Sequence, residues 1–348
     1  MSWSATIDVF EWNGPEAALN QHIYRVDTTD QVNEILFRFK LEELLPRLEA
    51  LSHGSTMKHV RKADLVNLDA DIPPLEEQRK IASVLYTVNQ AIQKTEEIID
   101  QTKQVRKGLK QELLTGNQKE TESIPINLEP VEIELPENWE VVTLGEITNA
   151  ITEMPHHMPD KIEEGVPFIT AGDISEDETI DLSEVEQISE EDYQQLSKRF
   201  DAKKGDILYT RYGTIGIAKE VSFNPKFIAS YSVALLKPNE EIVDPTFLTT
   251  QLNSWLVRKQ AASRTTQSAN KNFDLERIPK LNLVLPDMET QYEISRMISN
   301  VNDLISNNMK YSKQLRHIKQ GLMQDLLSGE VRTHDKDIEL IEDVLQHG

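Results

Sequence analysis

Two stretches far apart in the chain read as the same helix: PPLEEQRKIASVLYTVNQAIQKTEEIID at residues 73–100 and PDMETQYEISRMISNVNDLISNNMKYSK at 286–313. Aligned without a gap at an offset of 213, as from Gly108 to Gly321, fourteen of the forty-four positions in 73–116 are identical. Chance would give about two or three, so this is an internal repeat rather than shared helix composition. The match ends on Gly108-Leu109-Lys110-Gln111-Glu112-Leu113-Leu114-Thr115-Gly116 and Gly321-Leu322-Met323-Gln324-Asp325-Leu326-Leu327-Ser328-Gly329. Upstream it pairs Ser55 and Lys58 with Ser268 and Lys271, Leu65 and Leu68 with Ile278 and Leu281, and Ile35 and Phe39 with Leu248 and Leu252.

Apolar residues in the first copy fall at Ile81, Leu85, Val88, Ile92, Ile99, Leu109 and Leu113. In the second they fall at Ile294, Ile298, Val301, Ile305, Leu315, Leu322 and Leu326. Alternating steps of three and four make one stripe of a 3.5-residue period, the seam of paired helices. Polar residues interrupt both seams: Thr95, Thr102 and Arg106 in one, Asn308, Ser312 and Lys319 in the other. Such layers cost stability and fix register or direction. Each helix follows a proline, starts with acidic residues and stops at a glycine. Glu76-Gln78 and Glu289-Gln291 sit at the helix starts, where a carboxylate complements the helix dipole, a structural role preferred to direct docking of a partner. Roughly 37 helical residues reach about 55 Å, so paired helices would form a rod.

Between and before the helices the pattern changes. Residues 117–134 are polar and proline-bearing, a linker. VPFITAG, GDILYTRYGTIGIAKEV and FIASYSVALLKP read as short strands, PTFLTTQLNSWLVRKQAA as a helix, and LERIPKLNLVLP as a returning strand. Residues 135–290 therefore make one compact α+β domain. Residues 1–72 match only its final part: a β-like AALNQHIYRV, a helix QVNEILFRFKLEELLPRLEAL, a polar loop and a strand-like LVNLDADIP. Helices cover 73–116 and 291–330. The acidic tail 331–348 reads as a solvated helix in preference to a docking segment.

Composition narrows the class. There are 348 residues, no cysteine and no long apolar run, which excludes disulfides, thiolate metal sites and a membrane-spanning helix. MSWSATIDVFEWNG lacks a basic start before an apolar core, so no signal peptide is expected and a cytoplasmic location fits. The net charge of −22 repels duplex DNA as a whole but leaves local faces open.

PPLEEQRKIASVL, LPENWEVVTLGEI, GDILYTRYGTIG, GPEAALNQHIYRV and the paired ELLTG and DLLSG helix ends together resemble the specificity subunit of type I restriction-modification systems, across nearly the whole chain. The resemblance implies two target-recognition domains, each reading half of a bipartite site in double-stranded DNA. It implies two long helices that pair antiparallel as a coiled coil, modification (methyltransferase) subunits docked on them, and restriction subunits joining the larger complex. It implies no cofactor and no catalysis by this chain. The upstream part of the first recognition domain has no counterpart in 1–72. A truncated product, a decayed copy and one piece of a split gene all fit, and a second specificity chain could supply the rest. A scaffold remnant that binds modification subunits without reading a bipartite site is the alternative.

The candidate DNA contacts form three clusters. The first is Lys198-Arg199 with Lys203-Lys204, and the second is Arg211-Tyr212. The third is Arg258-Lys259 with Arg264, Thr265, Gln267, Asn270 and Lys271, which Lys58 shadows through the repeat. Arg, Gln and Asn can pair with base edges, while Lys and Thr suit phosphate. Solvated surface charge is the bland alternative for each. Catalytic motifs are near misses. Asn224-Pro225-Lys226-Phe227 and Asp244-Pro245-Thr246-Phe247 lack the second proline of an amino-methyltransferase loop. Gly213-Thr214-Ile215-Gly216 lacks the lysine of a phosphate loop. His156-His157 has no third metal ligand, Asp201-Ala202-Lys203 has no partner acids, and no nucleophile–base set is visible.

Overall fold

The structure, a computed structural model, describes residues 1–346 apart from 5, 13, 51–59, 115–122, 156–157, 177–179, 181, 224–225 and 266–271. The chain begins with strands β1 (Ser2–Ser4) and β2 (Thr6–Asp8) and helices α1 (Glu34–Ala50), α2 (Lys62–Val66) and α3 (Leu75–Leu114). Strands β3 (Ser123–Asn127), β4 (Glu132–Pro136), β5 (Glu140–Thr143), β6 (Thr148–Glu153), β7 (Lys161–Ile162), β8 (Val166–Ile169) and β9 (Glu186–Ile188) follow, then helix α4 (Glu190–Leu196). Strands β10 (Ile207–Thr210), β11 (Ala218–Glu220), β12 (Ile228–Ala229) and β13 (Val233–Pro238) precede helices α5 (Pro245–Leu252) and α6 (Trp255–Arg264). The last elements are β14 (Asn282–Leu285), α7 (Met288–Leu327) and α8 (Glu342–Gln346). Two compact units result, one of Met1–Ile98 with Asn308–Gly348 and one of Ile99–Asn307.

The second unit is α+β. Its central antiparallel sheet runs β11-β10-β13-β6, and a second sheet runs β12-β8-β9-β7. Successive side chains of a strand point to opposite faces, and here both faces are buried. Ile207, Tyr209, Ala234 and Leu236 join the core formed with Phe247, Leu252, Val257 and Ile294. Leu208, Val233 and Leu235 join the core formed with Phe168, Ile188 and Ile228. The central sheet thus has helices on one side and the second sheet on the other. This double burial explains why β10 and β13 are near-continuous apolar runs.

Several expectations need correction. The expected linker is not structureless: β3 and β4 pair as a hairpin, and Leu128, Val131, Ile133 and Leu135 pack on Leu256 and Val284. The single helix expected over 245–262 breaks at Asn253-Ser254. Asn253 caps α5 and bonds both backbone groups of Ala218 with its amide, completing the edge of β11, and Ser254 caps α6. LVNLDADIP holds the end of α2 and then runs on without a strand, and AALNQHIYRV is reduced to a single bridge between Ile23 and Ser2. β-like sequence becomes a strand only when a neighbour pairs with it, as β5 does for β14.

Within the first unit, α3 and α7 run antiparallel. Glu96 accepts hydrogen bonds from Arg316 and Ser312, and Asn89 accepts one from Lys319. Within the second unit, Arg106 donates to Asn302. The polar seam residues therefore have partners. Lys319 also pairs with Glu42 at 2.9 Å and lies over the Phe39 ring.

Gln78 and Gln291, which carry no charge, have a role of their own. Both are buried, and both make the same three bonds. The Gln78 oxygen accepts from Asn33 N at 2.8 Å, and its Nε2 donates to the carbonyls of Gln31 and Pro73. The Gln291 oxygen accepts from Asp244 N at 2.9 Å, and its Nε2 donates to the carbonyls of Ile242 and Pro286. Asn33 and Asp244 in turn cap α1 and α5 through Leu36 N and Phe247 N. These matched caps give an offset of 211, from Asn33 to Asp244. Leu36 therefore corresponds to Phe247, and the ungapped match of Ile35 and Phe39 with Leu248 and Leu252 is corrected by two residues.

The tail is docked rather than solvated. Val344 is fully buried among Leu36, Phe39, Ile81 and Leu85, and its carbonyl accepts from Asn33 Nδ2 at 3.0 Å. Arg332 forks onto Glu77 at 2.8 and 2.6 Å, and Thr333 N adds a third bond to that carboxylate. A half-buried apolar triplet (Ile338, Leu340 and Ile341) had been outweighed in the sequence by its acidic neighbours.

Gln78→Ala or Gln291→Ala leaves a cap amide and two carbonyls without their partner and should cost about 1–3 kcal/mol, read from urea denaturation. The bonds from Arg332 hold the Glu77 carboxyl down from 4.5 to about 2. Because the folded-state value is the lower one, this stabilisation is full above about 4.5 and is lost as pH falls toward about 2. The urea midpoints of wild type and Glu77→Gln should therefore differ at neutral pH and converge in acid.

Candidate nucleic-acid interface

Strand β10 organises the basic residues. Lys203 and Lys204 lie just before it and Arg211 and Tyr212 just after it, so the first two clusters occupy opposite ends of one strand. Lys198 and Arg199 follow α4 and are exposed, as are Lys203 and Lys204. Lys203 Nζ stands 3.3 Å from Asp201, an exposed pair of little energetic weight. Burial chiefly raises the Glu220 carboxyl, and the charge of Lys204 opposes that shift.

The second cluster is not a pair of surface contacts. Arg211 is 4% exposed. Its Nη1 donates to Glu153 and to the Tyr231 carbonyl, and its Nε donates to the Phe273 carbonyl at 3.1 Å. Nε and Nη1 of Arg211 are thus engaged within the protein. Tyr212 is half-buried, stacked edge-on against Tyr231 at 5.6 Å and bridged to Asn272. The turn beyond it uses Gly213 and Gly216 at positive φ, where a side chain would be strained.

The third cluster divides. Arg258 donates to Glu176 at 2.6 Å and to Asn253 at 3.2 Å. Lys259 is exposed and sits over the Trp255 ring. Arg264 donates to the Lys280 carbonyl at 2.6 Å, and the Thr265 hydroxyl is turned back onto the Ala261 carbonyl. Gln267, Asn270, Lys271 and the repeat-related Lys58 lie outside the described residues. The structure does join the second and third clusters. Gly216 lies beside Arg258, and the chain returning after 271 pairs at Asn272 and Phe273 with Tyr212 and Arg211.

Glu176 is the acid that sequence reasoning missed. It accepts Lys110 at 2.5 Å as well as Arg258, and its own carbonyl accepts Lys219. Burial works against its charge, yet Lys110 and Arg258 hold its carboxyl below the ordinary range. Burial likewise pulls the Lys110 ammonium down. Nearby, the buried Tyr209 hydroxyl has no hydrogen-bond partner among the described residues, and burial pushes it well above the usual phenol range.

With this arrangement in view, the relatives are informative. The family model described as the type I restriction modification DNA specificity domain matches residues 1–104 and 136–317, well over half of the chain. The chain belongs to that family. A type I restriction enzyme EcoBI specificity subunit of Escherichia coli is 28% identical over 299 residues, 82% of this chain and 63% of that one. The MjaVIII specificity subunit of Methanocaldococcus jannaschii is 24% identical over 330 residues, 92% of this chain and 75% of that one. This chain therefore spans less than two thirds of the length of the first of these relatives. The crystal structure of the type I restriction-modification S subunit from M. genitalium shares the fold, with a TM-score of 0.57 at 17% identity over 84% of this chain and 72% of that one.

The specificity-domain fold also disposes of one near-miss motif. Asp244-Pro245-Thr246-Phe247 is the capped first turn of α5, with Asp244 Oδ1 accepting from Phe247 N at 2.8 Å. Among the described residues no helix is long and apolar enough to cross a membrane.

Glu176→Gln leaves Lys110 charged and buried with no carboxylate opposite. A stability loss of about 1–3 kcal/mol is expected. A lysine whose folded-state value is lowered binds fewer protons folded than unfolded. The deficit should therefore shrink as pH rises toward the lysine range, which denaturation at a series of pH values would reveal.

Proposed function

We propose that this chain is a non-catalytic DNA-sequence-recognition subunit of a type I restriction-modification complex, directing methylation and cleavage carried out by partner subunits. Its partners are double-stranded DNA, modification subunits on the long helices, and restriction subunits through the complex. One observation carries this reading: a complete α+β body in a specificity-domain chain gathers turn and loop ends at one end of β10. Loops on a rigid sheet are suited to reading base edges, while exposed lysines and arginines, before β10 and on α6, neutralise phosphate.

On this reading the phosphate contacts are the exposed Lys198, Arg199, Lys203, Lys204 and Lys259. Gln267, Asn270 and Lys271 are the base-edge candidates, and Arg258 and Arg264 are secondary because their partners lie within the chain.

The test is to co-express the chain with its modification subunit and map adenine methylation across the genome. A sequence motif supports recognition, and a bipartite one requires two working recognition units. An assembled complex that methylates nothing supports the scaffold alternative and overturns recognition. For the phosphate contacts, each true one replaced by alanine should lower the slope of log affinity against log salt by about 0.9, measured by titration over a range of salt. The substitution should weaken all duplexes alike.

A further inference from the structure

Arg211 links several segments at the loop end of the central sheet. Three side-chain bonds join it to Glu153 at the end of β6, to Tyr231 between β12 and β13, and to Phe273, where the chain returns after residue 271. Its backbone adds two more: its N–H donates to the Ser232 carbonyl, and its carbonyl accepts from Phe273 N, both at 2.9 Å. The Tyr231 turn reaches further. Ser232 Oγ accepts from Ala171 N at 3.0 Å, and Ser230 N donates to the Ile169 carbonyl at 2.7 Å, so the end of β8 is tied to the same point. The guanidinium also lies 4.9 Å from the Tyr212 ring centroid, and Tyr212 stacks on Tyr231.

A planar fork with fixed donor directions can hold acceptors on several separate segments, which a lysine ammonium on a flexible stem cannot. The carboxylate of Glu153, 10% exposed, balances the charge so that the fork can sit inside the protein. The end of β6, the Tyr231 turn and the chain at Phe273 meet on this one side chain, and the end of β8 joins them through Ser230 and Ser232.

We propose that Arg211, held by Glu153, is a positioning residue for sequence discrimination: it sets the mutual placement of the Tyr212–Gly216 turn, the Ser230–Ser232 turn and the re-entry at Asn272 without itself touching DNA. This rests on the recognition reading above and assigns the residue a role different from that of a contact.

The test compares wild type with Arg211→Lys, each as the full chain co-expressed with the modification subunit, by selection from a pool of randomised duplex DNA and by affinity over a range of salt. The expected result is a folded Arg211→Lys whose preference falls about tenfold or more at several base pairs together, with the salt slope unchanged. Loss confined to one base pair would mean a direct base contact. A slope lowered by about 0.9 would mean a phosphate contact. Either outcome overturns positioning. A variant that melts earlier but selects the wild-type motif also overturns it, because the role is then only structural. If Arg211→Lys does not fold, Glu153→Gln, which keeps the side-chain size and leaves the Tyr231 and Phe273 carbonyls in place, carries the same comparison. A wild-type complex that selects no sequence at all would remove the recognition reading itself, an outcome separate from any difference between wild type and variant.

Discussion

A buried glutamine amide near the start of each long helix is the constraint on which both units rest. A side-chain amide offers an acceptor and donors in one plane, and each glutamine uses them to fasten three backbone groups. Its oxygen takes the N–H of the residue capping a short helix, and its nitrogen holds a carbonyl just upstream of that cap and the proline carbonyl before its own helix. With Gln78 and Gln291 2% and 1% exposed, water cannot take over any of these bonds. The long helix therefore leaves its globular body at a fixed point, and the apolar stripe along it starts against Leu36 in one unit and against its counterpart Phe247 in the other.

The two copies differ where their surroundings differ. Asp244 receives a hydroxyl proton from Ser295, whereas the position matching Ser295 in the first copy is Ala82. There the cap is Asn33, and its amide nitrogen is needed to donate to the Val344 carbonyl of the docked tail. An aspartate could cap the helix equally well but could not make that second bond. The Asp/Asn difference between the repeats is thus explained by which neighbour, a hydroxyl or a carbonyl, stands opposite.

Much of this was legible in the sequence, and the failures have physical causes. The long helices, their seam and the strand runs β8, β10, β11 and β13 carry strong periodic or apolar signals. The hairpin of β3 and β4 was hidden because prolines and charges dominate its composition, although Ile133 and Leu135 alternate correctly for a half-buried strand. The tail was hidden because net acidity outweighed its few apolar residues, among them Val344, whose burial depends in part on Leu36, Phe39, Ile81 and Leu85, more than 250 positions away. Among the candidate contacts, sequence could mark Arg211, Arg258 and Arg264 as basic but could not see Glu153, Glu176 or the Lys280 carbonyl facing them. Whether an arginine reads a ligand or holds a fold is decided by which acceptors lie within reach of its fork, and those acceptors come from distant segments.

Net charge and repeat spacing lead to the same distinction between frame and periphery. In a chain of net charge −22, arginines that bind internal acceptors add nothing to an anion-binding face, so any such face is built from residues kept outside these pairs. Lys198, Arg199, Lys204 and Lys259 meet that condition, and they lie before β10 and on α6 rather than along the buried seam. The caps match at an offset of 211 and the prolines at 213, so the second copy holds two more residues between them. Ser55 and Lys58 already match Ser268 and Lys271 at 213, which puts the extra residues upstream of that polar loop, at or beyond the end of the capped helix. Within a repeat whose cap, proline and glutamine are locked by hydrogen bonds, this is the segment left free to differ, and it leads into the segment that carries the base-edge candidates.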